Sequence, residues 1–177
     1  MTPDLPTAHI VLIGMMGVGK STVGRRVANA LHRPFLDSDN EVVVKTGRPV
    51  TEIFANDGEV AFREIEASVM AQLFSSKTPA VIAAAGGSIL DSDTRSLMKR
   101  SGVVVWMSAP VDVLVDRTTR GTHRPALASD PRGTLAKMET VRYDLYSEVA
   151  DVTVDCTQPL TAVVQAVLDA VREVSFQ

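Results

Sequence analysis

Cysteine, aromatic residues and long apolar runs are all scarce in this chain of 177 residues. The single cysteine, Cys156, excludes a disulfide within the chain and is typical of a reducing compartment. No apolar run approaches the roughly 20 residues that cross a bilayer. Residues 1–8 lack the basic start and apolar core of a secretory signal. We therefore expect a cytoplasmic protein without a membrane segment.

The chain also lacks a strong excess of either charge. Its formal net charge is −3, with 22% charged and 45% hydrophobic residues, which is ordinary for a globular protein. The balance therefore gives no support for nucleic-acid or anionic-membrane binding, and any anionic ligand must be held by local basic clusters. We expect one domain over residues 1–177. No apolar stripe is left over on the predicted helices, which favours a monomer.

What the sequence does contain is a glycine-rich stretch from Gly14 to Ser21. It fits the pattern Gly-x-x-x-x-Gly-Lys-Ser between an apolar strand and a helix. Glycines let successive backbone amides point inward at an anion, and the helix adds the positive end of its dipole. Lys20 can reach the β- and γ-phosphates, and the Ser21 hydroxyl can bind Mg²⁺. The pattern predicts a nucleotide-binding loop; the alternative is a glycine turn without a ligand.

Strand and helix patterns alternate along the whole chain. Strands are predicted at 9–13, 34–37, 79–84, 103–107 and 151–154. Helices are predicted at 21–31, from Ser38 or Asp39 to 45, at 52–55 with Thr51 as N-cap, and at 59–75, 91–100, 111–117, 133–149 and 160–174. Such alternation predicts an α/β fold with helices on both faces of a parallel five-stranded sheet. Sites in such folds lie beyond the carboxyl ends of the strands.

Two carboxylates follow the second predicted strand, at Asp37 and Asp39. Asp37 could hold Mg²⁺ through water, because Mg²⁺ keeps much of its hydration shell. Asp39 could accept a proton from an acceptor hydroxyl. The alternative is that both residues serve only to cap the next helix.

The polar stretch 118–132 is long for a compact domain, and we expect it to be a loop that acts as a mobile lid. Four arginines cluster in or beside it, at Arg117, Arg120, Arg124 and Arg132. In an acidic protein this cluster indicates phosphate binding, the alternative being a solvated loop.

Together these segments resemble the shikimate kinase family. From about Ile10 to Asp155, in the family's order, the resemblance is carried by the glycine-rich loop with Thr22 and Gly24, Leu36-Asp37-Ser38-Asp39, Ile53-Phe54, Asp57-Gly58-Glu59-x-x-Phe62-Arg63-x-x-Glu66, Gly86-Gly87, Arg124-Pro125 and Arg142-x-x-Leu145-Tyr146. It implies a three-layer P-loop NTPase fold like that of nucleoside monophosphate kinases, with a substrate-binding subdomain at about 40–71 and a lid at about 118–132.

The resemblance also implies roles for individual residues. It implies ATP binding by Gly17, Val18, Gly19, Lys20, Ser21, Thr22, Arg117, Arg124 and Pro159. Shikimate would contact Asp39, Arg63, Gly86, Gly87 and Arg142, with the two arginines on its carboxylate. Catalysis would fall to Lys20, Asp39 and Arg124, and Mg²⁺ to Ser21 and, through water, Asp37.

Two positions depart from the family pattern. Ala85 stands where the family usually has the first of three glycines, and Ala126 stands where it usually has leucine. An alanine at a position of positive φ would strain the backbone, and one against the ring would narrow the pocket.

The sequence thus predicts ATP-dependent phosphorylation of the shikimate 3-hydroxyl, a step towards chorismate and the aromatic amino acids. The alternatives are a related kinase for gluconate or a cyclitol acid, and a nucleotide-binding regulatory module without catalysis. A nucleoside monophosphate kinase fits less well, because the Asp-x-Asp and Phe-Arg-x-x-Glu segments have no clear use there.

Overall fold

A computed structural model describes residues 8–119 and 129–174 of the chain. Five strands form one sheet: β1 (His9–Ile13), β2 (Phe35–Asp37), β3 (Val81–Ala83), β4 (Gly102–Ser108) and β5 (Val152–Asp155). Their spatial order is β2-β3-β1-β4-β5, and each adjacent pair is parallel. The predicted α/β fold with a parallel five-stranded sheet is therefore confirmed.

Seven α-helices flank the sheet in the described ranges: α1 (Lys20–Ala30), α2 (Ser38–Thr46), α3 (Val50–Phe74), α4 (Ser92–Ser101), α5 (Val111–Thr119), α6 (Pro131–Val149) and α7 (Leu160–Val174). Helix α1 packs on α7, whereas α4 packs on α3 and α6. Strands β1, β3 and β4 between these layers are almost wholly buried and apolar, as expected for parallel strands covered on both faces. None of the described helices combines the length and apolar character that a bilayer crossing requires.

The strand register brings the ends of β1, β2 and β3 to one edge of the sheet. Leu12 of β1 lies opposite Ala83 of β3, and Ala83 lies opposite Asp37 of β2. The loop after β1, the carboxylates after β2 and the glycines after β3 are therefore neighbours.

Helix α3 contains the two helices predicted at 52–55 and 59–75. They meet at Gly58, whose φ of 84° and ψ of 174° are not helical. Thr51 is not the N-cap of α3, because the carbonyl of Pro49 already accepts from the amides of Glu52 and Ile53. The predicted break at the glycine is therefore confirmed.

The stretch predicted as a loop at 118–132 contains helical residues at both of its described ends. Thr118 is buried and its Oγ1 donates to the Leu114 carbonyl at 2.7 Å, so α5 continues to Thr119. Helix α6 already begins at Pro131, because Asp130 caps it by accepting from the Gly133 amide at 2.9 Å.

Candidate active site

The glycine-rich loop between β1 and α1 has the geometry of an anion nest. Gly14 and Gly17 have φ values of 140° and 82°, a region that favours glycine. At both positions a β-carbon would also overlap neighbouring atoms, the Met107 carbonyl and the Thr118 side chain respectively. Helix α1 starts at Lys20 without a side-chain cap, which leaves its first amides directed at the loop. The Lys20 Nζ donates to the carbonyls of Gly14 at 2.7 Å and Met15 at 3.1 Å.

Asp37 caps α2 and also contacts the glycine-rich loop. Its Oδ1 accepts from the Asp39 amide at 3.2 Å, so Asp37, rather than Ser38 or Asp39, is the N-cap of α2. Its Oδ2 accepts from the Ser21 hydroxyl at 2.5 Å. Two oxygen donors beside a phosphate loop suit Mg²⁺. The described residues hold no cluster of three or more histidine, cysteine, aspartate or glutamate ligands, so water and phosphate would complete the coordination.

Most of the predicted site residues line one cleft of about 650 Å³ at the carboxyl edge of the sheet. They include residues predicted to bind ATP or Mg²⁺ and residues predicted to bind the acceptor: Gly17, Gly19, Lys20, Ser21, Thr22, Asp37, Asp39, Arg63, Gly86, Gly87 and Arg142. A cavity of about 280 Å³ lies on the other side of the loop, bounded by Val18, Arg117, Cys156 and Leu160. Gly17, Gly19 and Thr22 border both spaces. A ligand lying along the loop can therefore occupy the two together.

Arg63 reaches the cleft from the middle of α3. Its Nη1 lies 2.7 Å from Glu66 Oε2, and its Nη2 lies 3.3 Å from Glu59 Oε1. The Glu66 side chain is only 4% exposed, so this ion pair fixes one edge of the guanidinium from within the protein. Burial raises the pKa of Glu66 above its usual value, while Arg63 acts in the opposite direction.

Arg142, on α6, is the second cation of the cleft and is 7% exposed. The glycines after β3 lie between the two arginines. A β-carbon at Gly86 would lie 3.3 Å from the Arg142 Nη1, and one at Gly87 would overlap the Arg63 guanidinium. The glycines therefore allow backbone and both cations to share one small volume.

The departure from the family pattern at Ala85 causes no backbone strain. Among the described non-glycine residues only His32 has a positive φ. The Ala85 amide donates to the Ser38 Oγ at 2.8 Å, and its carbonyl accepts from the Ser88 amide at 3.0 Å. Ala85 is among the residues that line the cleft. Ala126 lies outside the described residues.

The predicted arginine cluster divides between different places. Arg117 lines the smaller cavity and donates to the Cys156 carbonyl at 2.7 Å. Arg132 is exposed, pairs with Asp112 and is not among the residues that line either cavity. Arg120 and Arg124 lie outside the described residues.

Pro159 does not border the smaller cavity, although its neighbours Gln158 and Leu160 do. Its carbonyl accepts from the amides of Ala162 and Val163 at the start of α7. Pro159 therefore immediately precedes α7, and its place beside the base stays a prediction.

Several lining residues carried no functional prediction. Glu66 could have been found, because a glutamate stands on the buried stripe of α3 near Phe62 and Val69. Cys156 is buried and also borders the smaller cavity. Met16, Val50, Phe54 and Met138 give the cleft apolar walls. Their sequence signal was no different from that of core residues.

Comparison with known proteins gives consistent results. The family model described as shikimate kinase matches residues 16–172. A shikimate kinase of Caulobacter vibrioides is 44% identical over 93% of this chain and 82% of its own length. The structure of shikimate kinase from Acinetobacter baumannii in complex with shikimate superposes with a TM-score of 0.90 at 37% identity, covering 97% of this chain and all of that one. A gluconokinase structure from Sinorhizobium meliloti is more distant, with a TM-score of 0.66 at 25% identity over 97% of this chain and 95% of that one.

Proposed function

Because the chain belongs to the shikimate kinase family, we propose that it transfers the γ-phosphoryl group of ATP to the 3-hydroxyl of shikimate. The products are shikimate 3-phosphate and ADP, on the route to chorismate and the aromatic amino acids. One observation carries the proposal: a single cleft joins the glycine-rich loop to two arginines, a carboxylate and a pair of glycines.

ATP would lie along the loop with its phosphates in the larger cleft and its base in the smaller cavity. The shared border at Gly17, Gly19 and Thr22 supports this arrangement. Arg117 is the cation of the smaller cavity and has a flat guanidinium suited to stacking on a purine. The loop amides, including that of Val18, and Lys20 would hold the phosphates.

The acceptor would lie with its carboxylate between Arg63 and Arg142. Both cations border the same cleft, and arginine binds carboxylates with two parallel hydrogen bonds. Gly86 and Gly87 would let the ring approach the backbone, and Asp39 would accept a hydrogen bond from the reacting hydroxyl. Gluconate and cyclitol acids also carry a carboxylate and hydroxyls, so a kinase for one of them is the second candidate function.

Mg²⁺ would be held by Ser21 directly and by Asp37 through water, as their hydrogen bond at 2.5 Å supports. When bound, the ion would neutralise charge on the phosphates. The protein performs little covalent chemistry, because phosphoryl transfer depends mainly on positioning and on compensating charge. Lys20 would leave the carbonyls of Gly14 and Met15 for the phosphates.

In the reaction the acceptor oxygen forms a bond to the γ-phosphorus as the bond from that phosphorus to the β,γ-bridging oxygen breaks. The hydroxyl proton passes to the carboxylate of Asp39, and ADP is the leaving group. Asp39 therefore acts as the base, and Lys20 compensates charge on the phosphates.

Further parts of the proposal rest on the family resemblance. Arg124 would be a lid arginine that reaches the transferring group, within a lid at about 118–132. Residues 40–71 would form a substrate-binding subdomain that closes together with the lid and excludes water. We also propose a monomer that acts in the cytoplasm.

The test is a coupled assay of ADP formation with MgATP and, separately, shikimate, quinate, gluconate, AMP or no acceptor. We expect turnover with shikimate and little with the others. A Lys20→Ala preparation controls for contaminating kinases. Turnover with gluconate or quinate alone would move the assignment to the second candidate. A folded protein that binds ATP but is inactive with every acceptor would indicate a regulatory module.

A further inference from the structure

The segment Ala85–Gly87, here called the glycine loop, is held by two buried hydroxyl groups. The Ala85 amide donates to Ser38 Oγ at 2.8 Å, and the Tyr146 hydroxyl donates to the Gly86 carbonyl at 3.1 Å. Ser38 is 1% exposed and Tyr146 is 2% exposed. Buried backbone groups need partners, so each bond restricts where the loop can lie.

The two hydroxyl groups come from elements that carry the proposed acceptor-binding residues. Ser38 stands between Asp37 and Asp39, at the start of α2. Tyr146 follows Arg142 by four residues on α6, so the two side chains lie on the same helix face. The hydrogen bonds therefore connect the glycine loop to the carboxylates on one side and to an arginine on the other.

Both arginines lie close to the backbone of the glycine loop. The loop lies between Arg142, on the side of Gly86, and Arg63, on the side of Gly87, each too close to accept an added methyl group without adjustment. A shift of the loop towards the guanidinium of Arg63 or Arg142 would crowd that group and leave a gap at the other. The position of the loop thus determines how the two arginines face a shared carboxylate.

We propose that Tyr146 and Ser38 are positioning residues that set the glycine loop between Arg63 and Arg142 and thereby shape the acceptor pocket. This inference rests on the proposed function for the identity of the acceptor. Neither residue needs to contact the substrate, because both act through the backbone of the loop.

The hydroxyl of Tyr146 is separable from its ring. The ring stacks on Trp106 with centroids 5.7 Å apart and an interplanar angle of 26°, a packing role that phenylalanine would also fill. The hydroxyl contacts Gly86 and lies within hydrogen-bonding reach of Arg142. Burial raises the pKa of Tyr146 to about 12, so the group stays a donor at any pH at which the enzyme is assayed.

The first experiment compares Tyr146→Phe with Tyr143→Phe. Tyr143 also contacts Trp106, edge-on with centroids 5.1 Å apart, but it is 53% exposed and is not among the residues that line the cleft. We expect Tyr146→Phe to raise the KM for shikimate about fivefold, as loss of one buried hydrogen bond implies, and to leave the KM for ATP unchanged. We expect Tyr143→Phe to match the wild type.

Ser38→Ala removes the other hydroxyl group that contacts the glycine loop. We expect it to raise the shikimate KM by a similar factor, and the double variant with Tyr146→Phe to show less than the product of the two single effects, since both act on one segment. An unchanged shikimate KM in both single variants, or equal losses for ATP and shikimate, would overturn the proposal even if thermal stability fell.

Amide hydrogen exchange of residues 84–90 tests the loop without any acceptor. We expect faster exchange in Tyr146→Phe and Ser38→Ala than in Tyr143→Phe. If the wild type does not phosphorylate shikimate, the proposed function fails, and faster exchange still shows that the hydroxyls hold the loop. Unchanged exchange would overturn the proposal whether or not shikimate is the acceptor.

Discussion

The nucleotide side and the acceptor side of the cleft are built in opposite ways. The part of the nucleotide side that holds the phosphates is one continuous segment from Gly14 to Thr22, in which backbone amides and a helix start supply the positive potential. The acceptor side collects side chains from the ends of β2 and β3 and from α3 and α6. Its cations depend on neighbours: Arg63 on the buried Glu66, and Arg142 on the face that it shares with Tyr146.

This difference predicts how substitutions on each side change turnover and ligand binding. A change on the nucleotide side removes charge compensation for every acceptor alike, because the loop handles only phosphates. A change on the acceptor side alters recognition of one ligand and leaves nucleotide binding intact. Predictions that separate turnover from acceptor binding therefore test the division directly.

The largest effect is expected where the two sides meet, at Asp39. Asp39→Asn keeps the size of the side chain but removes the proton acceptor, and we expect kcat to fall by roughly 100-fold or more. Shikimate binding, measured by calorimetry, should weaken far less. Unchanged turnover would remove Asp39 from the mechanism. Asp93→Asn, an exposed carboxylate on α4, is the control.

Lys20→Ala tests the nucleotide side alone. We expect kcat to drop by about 100-fold, because one preorganised positive group at the phosphates is lost. Steady-state kinetics should show the same proportional loss for any acceptor that the wild type accepts. A loss confined to one acceptor would contradict the division. Lys137→Ala, which removes an exposed lysine of α6, should behave as the wild type.

Arg63→Ala tests the acceptor side alone. A charge-assisted pair with a carboxylate is worth about 1.5–3 kcal/mol, so the KM for shikimate should rise by at least about tenfold. Nucleotide affinity, measured by fluorescence of a bound ATP analogue, should stay nearly the same. Equal weakening of ATP and shikimate binding would argue against the proposal that Arg63 binds the shikimate carboxylate. Arg172→Ala on α7 removes an arginine remote from the cleft.

The smallest effect concerns the pH dependence of stability through Glu66. Burial raises its pKa in the folded state, so above the ordinary value of 4.5 the folded protein retains a proton that the unfolded chain has lost. This contribution makes the wild type less stable as pH rises from 4.5 through the folded-state pKa. Glu66→Gln lacks the contribution and should gain stability relative to the wild type over that range. Urea unfolding at pH 5 and pH 7 measures the change, and an equal difference at both values would contradict it.

Much of the fold could be predicted because it depends on local patterns. The bounds of β1 and α7 match the prediction, and most other elements differ by one to three residues. Their apolar periodicity reflects burial directly. The glycine-rich loop was equally accessible, since its function depends on backbone geometry that the glycines alone permit.

Other features could not be predicted because they depend on contacts between distant segments. Nothing in the sequence near Ala85 indicates that its amide meets Ser38, 47 residues away. The smaller cavity is likewise formed by distant segments, since Arg117 borders it together with Cys156 and Leu160.

By itself, the sequence determined the order of strands and helices, the phosphate loop and the kinds of group available for catalysis, because each depends on neighbouring residues. The tertiary structure alone decided the acceptor pocket. Parallel strands brought their ends to one edge, and α3 and α6 then placed two arginines on either side of a loop with no side chains of its own at Gly86 and Gly87. Arg63 and Arg142 are 79 residues apart in the sequence, so they can come together only after the core has packed.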